Sequence, residues 1–279
     1  MELPSICFIY PYIFIGIFII IHIVIFLLIL KFIPNVEKLP FLWGMINWGI
    51  AIGVIYLGID FLFPTEPHSL QIVGCFIFGI IPPITEDIGR FIVFTFIYKA
   101  KNHNFNNSLI FGAGHGGFES IVLMAIDQIN NLVNFYAIKK DNSIEELNEN
   151  KLLDFYEKNK NGVTGAEIFG VITRFAGNFY HMGSSIIIYR LALNRKEKKY
   201  IIYFIVLFIN HFINDTFGKF CGLYKLSFWY NFIIIGLVMM IVAIAWFVWK
   251  ENNSKDYSDF NLENNEKAIS LQYIAENDN

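Results

Sequence analysis

Charge is what this chain has least of. Of its 279 residues, 16% are Asp, Glu, Lys or Arg, against roughly 25% in an ordinary soluble domain. That shortfall excludes a solvated globular fold of this length. The charges that exist nearly cancel, at a formal net of −3, so the balance gives no sign of nucleic-acid binding. Cysteine is also scarce. Cys7, Cys75 and Cys221 are scattered through apolar runs and suggest neither a disulfide framework nor a cysteine metal motif. The opening MELPSICFIYPYIF has no basic region and no small-residue cleavage site. It reads as the start of a retained span rather than as a signal peptide. No internal repeat is present.

Apolar side chains fill the space left by charge, at 55% of the chain, with aromatics at 18%. A helix needs about 20 apolar residues to cross a bilayer, and about seven such runs follow one another. They cover residues 7–31, 41–63, 70–98, 108–137, 165–193, 200–220 and 227–249. The fold class expected is therefore all-α, a polytopic transmembrane helical bundle of about seven spans within a single domain, residues 1–250. The charged stretch 139–163 reads as a solvent-exposed loop, with room for one short helix. The Asn-rich segment 251–279 reads as a polar, loosely ordered tail. Lys and Arg cluster in alternate connections: Lys31 and Lys38, then Lys99 and Lys101, then Arg190, Arg195, Lys196, Lys198 and Lys199, then Lys250 and Lys255. The positive-inside rule then sets the N-terminus outside and the C-terminus in the cytosol. Ile, Asn and Lys usage suggests an AT-rich genome, so the membrane expected is a bacterial plasma membrane.

Within these greasy runs sit a few ionisable groups, each costing roughly 2.5–3.5 kcal/mol to insert. Glu86 and Arg90 in ITEDIGRF are four apart and share a helix face, with Asp87 beside them. His115 and Glu119 in FGAGHGGFESI are again four apart, wrapped in Gly112, Gly114, Gly116 and Gly117. Those glycines would let a neighbouring helix approach closely, or clear room for a substrate backbone. Arg174, Asn178, His181 and Ser185 share one face. His211 and Asp215 are four apart, with Asn214 between them. Singly, each cluster also reads as a buried ion pair, a packing seam or an interhelical hydrogen bond. Together they carry more. At about 1.5 Å of rise per residue, the acids and histidines of four helices fall within one slab about 10 Å thick. His22, a lone histidine in the first span, and the loop residues His68 and His103 receive no role.

Three histidines and several carboxylates at one depth suit a metal with an activated water. Zinc takes three or four N and O ligands and keeps one position open in catalytic sites, while a free glutamate acts as general base. A metal-free version, with a Glu–His pair activating water directly and another His with Asn or Asp stabilising the oxyanion, fits the same residues. An ion- or proton-coupled transporter and a non-catalytic membrane scaffold or immunity protein also remain open.

The arrangement resembles the YhfC-type family of intramembrane metalloproteases. More distantly it is similar to the CAAX-processing and PrsW-type membrane proteases. Paired acids followed by Arg appear as Glu86-Asp87-Ile-Gly-Arg90, Phe-xxx-His as Phe111 to His115, and His-xxx-Asn/Asp as His211-Phe-Ile-Asn214-Asp215. The resemblance covers residues 70–250. It implies a CAAX-protease-like core and hydrolysis of a peptide bond in or near the membrane, with a hydrophobic or membrane-protein peptide as substrate. It implies that Glu86 activates water and that His115 and His211 bind metal or position the water. Asp215 would be a further ligand or oxyanion partner. Glu119 and His181 join the expected metal set, and Asp87, Arg90 and Asn214 the catalytic set. Arg90 sits one position closer to the acids than in the CAAX-protease pattern, and Asp87 stands where that pattern has Glu.

Overall fold

Uninterrupted apolar sequence leaves the backbone one local way to satisfy its N–H and C=O groups away from water, which is the helix. The computed structural model describes residues 5–33, 35–62, 71–100, 104–140, 152–160, 165–223 and 233–251. Among the described residues there is no strand. Helix α1 is Ile6–Phe32 and α2 is Leu39–Leu62. Helix α3 is composite, with Gln71–Pro82 and Ile88–Ile92 in α geometry and wider π turns over Pro83–Asp87 and Val93–Ile97. Helix α4 is Asn107–Lys140, α5 is the short Leu153–Asn159, α6 is Gly165–Leu193, α7 is Lys198–Leu223 and α8 is Ile233–Glu251.

The seven long helices coincide with the seven apolar runs. Five are long and apolar enough to cross a membrane on their own: Ile6–Phe32, Ile72–Ile97, Asn107–Lys140, Lys198–Cys221 and Ile233–Glu251. Leu39–Val54 is a shorter apolar helix. Helix α6 has the length, at 29 residues, but its polar row lowers its hydropathy. Outward faces stay greasy: Ile20 on α1 is 62% exposed and Phe247 on α8 is 68% exposed. Aliphatic and aromatic surface on this scale needs lipid around it.

Helix α4 is the centre of the bundle. It packs against α1, α2 and α6, while α7 packs along α3. Residues from Ser108 to Gly117 on α4 are buried, with Leu109 as the partial exception. Its glycines explain how three helices can crowd one. A Cβ on Gly112 would strike the backbone of Met182 on α6, and one on Gly114 the backbone of Phe41 on α2. A Cβ on Gly116 would meet His181 and Asn178, and one on Gly117 the ring of His22 on α1. Protein fills the space beside all four glycines, so none of it is left for a substrate backbone. Gly44 on α2 completes the seam, with its α-carbon against the Phe111 carbonyl and the His115 amide.

One end of α4 is pinned by polar contacts. The Glu37 backbone N–H donates to Asn107 Oδ1 at 2.7 Å, and Asn107 Nδ2 donates to Glu37 Oε1 at 2.9 Å and to Tyr98 Oη at 2.7 Å. Near it the aromatic core gathers, with Phe94 against Phe111 at 4.5 Å and against Tyr189 at 4.8 Å between ring centroids. At the other end, the stretch read as a solvated loop is partly buried where it is described. The Phe155 ring of α5 lies 5.0 Å from Phe135, and Asn159 is fully buried with its carbonyl accepting from Cys7 Sγ at 3.5 Å. One aromatic on a short helix is enough to dock it against α1 and α4. Residues 141–151, 161–164 and 252–279, with His68 and His103, lie outside the described residues. None of the three cysteines forms a disulfide, and all three are buried.

Gly44→Ala drives a methyl group into the α2–α4 seam and should destabilise the protein by about 1–3 kcal/mol. Gly53→Ala, where nothing lies within 4 Å, should be silent. Unfolding temperatures in detergent compare the two, and equal melting would overturn the seam.

Candidate metal centre

The site begins at a defect in α3. Pro82 and Pro83 carry no N–H, so the carbonyls of Phe78 and Gly79 lose their ordinary helical donors. There the helix widens into a π turn, Pro83–Asp87, a geometry that recurs at functional sites. Thr85 Oγ1 donates to the Ile81 and Pro82 carbonyls at 3.0 and 3.2 Å and satisfies the local backbone. Glu86 and Asp87 sit inside this turn, 5% and 0% exposed. Two small residues draw neighbours in. Gly79 abuts Thr216 on α7, and Gly89 abuts the Asn47 side chain of α2.

Arg90 is fully buried at the middle of the cluster. Its guanidinium donates to Asp87 Oδ1, to Glu86 Oε2 at 3.3 Å and to His181 Nδ1 at 2.6 Å. Arginine has no acceptor, so His181 Nδ1 is the acceptor and the ring proton is on Nε2. That nitrogen faces Glu119 Oε2 at 2.8 Å. His115 Nε2 lies 3.0 Å from Glu86 Oε2, and its Nδ1 lies 3.3 Å from Asn47 Nδ2. Asn47 also donates to the Glu86 carbonyl at 3.3 Å. His211 Nδ1 donates to Asp87 Oδ2 at 2.9 Å, and its Nε2 faces Asp215 Oδ2 at 3.4 Å. Glu86 Oε2 stands among all three histidines, 3.9 Å from His181 Nδ1 and 3.9 Å from His211 Nε2.

Eight of the nine residues singled out from sequence thus lie in one connected polar cluster, on α3, α4, α6 and α7. They fall into two halves. Glu86, His115, Glu119 and His181 can bring one ligand atom each within 4.8 Å of one another. His211 and Asp215 stand outside that set, joined to it through Asp87 and Glu86. Asn214, the ninth, is partly exposed, and its Oδ1 is buried without a hydrogen-bond partner. Arg174, from the α6 stripe, turns away and pairs with Asp127 at 3.6 Å in an exposed position. His22 bonds the Phe18 carbonyl of its own helix at 2.6 Å.

Sequence reasoning passed over Asn47 and Tyr180. Asn47 is a strongly polar side chain in the apolar stretch Leu39–Val54, which is a readable signal in a membrane helix. Tyr180 carries no such mark, because tyrosine is common in apolar helices.

The donor set fits a divalent cation. Two imidazoles and two carboxylates are the ligand types zinc takes. Glu119 Oε2 is buried and makes no hydrogen bond, although His181 Nε2 is 2.8 Å away. Two ligand atoms at that spacing, out of hydrogen-bond alignment, suit a shared cation. The charge count agrees. Four carboxylates, Glu86, Asp87, Glu119 and Asp215, stand in the cluster with one guanidinium, and Lys219 lies within electrostatic reach of Asp215. Buried charge without compensation is costly. Loading a cation at His181 Nε2 displaces the proton there, so the Arg90 contact at Nδ1 competes with metal binding.

The group formed by Glu86, His115, Glu119 and His181 could hold one metal ion. Elemental analysis of purified protein should find about one per chain, lost in His115→Ala and His181→Ala and kept in His211→Ala. Metal lost equally from all three would move His211 into the ligand set.

The family model of the YhfC intramembrane metalloproteases matches residues 17–239. The chain is also similar to the uncharacterized membrane protein YhfC of Bacillus subtilis (strain 168), with 29% identity over 147 residues. That stretch covers 51% of this chain and 54% of the relative, so the match spans about half the length of each. No solved structure matches the chain.

Proposed function

We propose that this chain, which belongs to the YhfC intramembrane metalloprotease family, is a membrane-embedded peptidase. It would hydrolyse a peptide bond of a hydrophobic or membrane-protein segment, using a glutamate-activated water beside zinc. The observation that carries the reading is the position of Glu86 Oε2, within 3.9 Å of a ring nitrogen on each of three histidines from three helices. A carboxylate in that position both accepts a proton and stays oriented.

His115, His181 and Glu119 would hold the metal as two imidazoles and one carboxylate, a set known in catalytic zinc sites. Bound there, zinc supplies Lewis-acid polarisation of the scissile carbonyl and acidifies its water. Glu86 takes the water proton and returns it to the departing amide nitrogen. Asn47 orients His115 from behind, since the amide can present either its nitrogen or its oxygen to Nδ1. Asp87 fixes the His211 ring through Nδ1, which leaves His211 Nε2 3.9 Å from Glu86 Oε2. Asp215 supports His211 Nε2. Arg90 pairs with both Glu86 and Asp87 and so offsets carboxylate charge in the apolar interior. Asn214, with a free Oδ1, would accept from a backbone N–H of the substrate. The alternate basic connections give the orientation that goes with this reading: N-terminus outside, C-terminus cytosolic, in a bacterial plasma membrane.

The test uses purified wild type and Glu86→Gln with labelled single-span peptides in proteoliposomes. Glu86→Gln should keep its metal and cleave about 10²- to 10⁴-fold more slowly, the usual cost of losing a general base. Equal cleavage by the two proteins would remove Glu86 from the chemistry.

A further inference from the structure

Tyr180 precedes His181 on α6 and is 3% exposed. Its phenol oxygen is buried and has no hydrogen-bond partner, the one phenol in that condition among the described residues. Other buried tyrosines of the bundle are served. Tyr189, on the same helix, donates to the Ala100 and Asn104 carbonyls at 3.2 Å each. Tyr200 accepts from Arg190 Nε at 3.1 Å. A phenylalanine at 180 would fill the same space without the cost of a desolvated hydroxyl. The tyrosine therefore has a donor whose acceptor is not part of the protein.

Its surroundings say where that acceptor comes. The ring lies edge-on to His211 at 5.4 Å and to His181 at 5.5 Å between centroids. With its ring against two histidines of the cluster and its oxygen buried, Tyr180 lies at the centre rather than against lipid. Most other donors there are engaged. Arg90 Nη1 and Nη2 are taken by Asp87, Glu86 and His181, and the Asn47 amide by His115 and the Glu86 carbonyl. Arg90 Nε and the Tyr180 hydroxyl are left without partners, and of the two the hydroxyl can rotate its hydrogen toward an incoming acceptor.

The geometry points to Tyr180 as a catalytic residue that donates its phenol hydrogen bond to the oxyanion of the tetrahedral intermediate, an assignment that rests on the peptidase reading above. The water oxygen bonds to the carbonyl carbon as Glu86 takes a proton from it. The π pair of the carbonyl moves onto its oxygen. Tyr180 donates a hydrogen bond to that oxygen and keeps its own proton. Collapse re-forms the C=O bond as the C–N bond breaks, and the nitrogen takes the proton held by Glu86. A donor aimed at charge that exists only in the intermediate lowers the barrier without tightening substrate binding.

The experiment uses the full chain in detergent, as wild type, Tyr180→Phe and Tyr189→Phe. Three quantities are read: metal content, affinity for a phosphinic peptide whose tetrahedral phosphorus carries the oxyanion, and kinetics on a cleaved peptide. Tyr180→Phe should keep its metal and bind the phosphinic peptide about 10- to 100-fold more weakly, the range for a hydrogen bond to a charged group. Its kcat should fall about 10²- to 10³-fold with KM unchanged. Tyr189→Phe should melt at lower temperature yet bind the phosphinic peptide as wild type does. Tyr180→Phe binding that peptide with wild-type affinity overturns the assignment, and so does loss of metal in this variant, which would make Tyr180 structural. Wild type that holds metal yet neither binds the phosphinic peptide nor cleaves defeats the peptidase reading itself, a different outcome in which the assignment falls with it.

Discussion

A guanidinium with no solvent contact holds the centre in place. Arg90 reaches Glu86, Asp87 and His181 at once, so it ties two turns of α3 to α6. An ion pair this deep is a poor source of net stability, because desolvation offsets the attraction. Its effect is on arrangement. With Arg90 between them, two adjacent carboxyl groups share one counter-charge in an apolar bundle. Asp87 gives one oxygen to Arg90 and the other to His211, while Glu86 Oε2 meets Arg90 and His115 together. Remove the guanidinium and the two halves of the cluster lose the charge that lets them coexist.

The π turn and the glycine seam serve that arrangement from two sides. Glu86 and Asp87 lie four and three residues before Arg90, a spacing at which both reach the same arginine, and both sit in the π turn Pro83–Asp87. On the other side, α4 presents His115 and Glu119 from a surface with almost no side chains. Because α2 and α6 touch its backbone, Asn47 and His181 reach the α4 histidine with short side chains. The His115 and His181 rings lie 4.7 Å apart between centroids. Bulkier residues at Gly112, Gly114 or Gly116 would hold the helices off and open the ligand set.

Much of this was legible in residues 86–90, 111–119 and 210–215. Four-residue spacing declares a shared helix face, and an ionisable side chain inside an apolar run declares a cost that something must repay. Those two rules marked eight residues of the observed cluster, and they also marked Arg174, which pairs with Asp127 away from it. They failed where the signal was weak or depended on another chain segment. Asn47 was one amide in its span, thirteen residues from the span's ionisable residue, Asp60. Tyr180 looked like any aromatic in a greasy helix until its hydroxyl was seen to lack a partner. Phe155 and Asn159 read as loop because a seven-residue helix carries too little periodicity to declare a buried face.

Sequence by itself determined that the chain is helical, that it lives in lipid, and which helices carry ionisable groups at one depth. Those properties follow from composition and from a fixed rise per residue, both local. Only the tertiary structure decided which groups meet. It divided the histidines, with His115 and His181 beside Glu86 and Glu119 and with His211 paired to Asp87. It also gave the glycines of α4 to neighbouring helices. The reason is that helix rotation and interaxial distance are set by side chains on facing helices, far apart in the chain. A rotation of a few tens of degrees leaves every local pattern intact and exchanges one ligand for another.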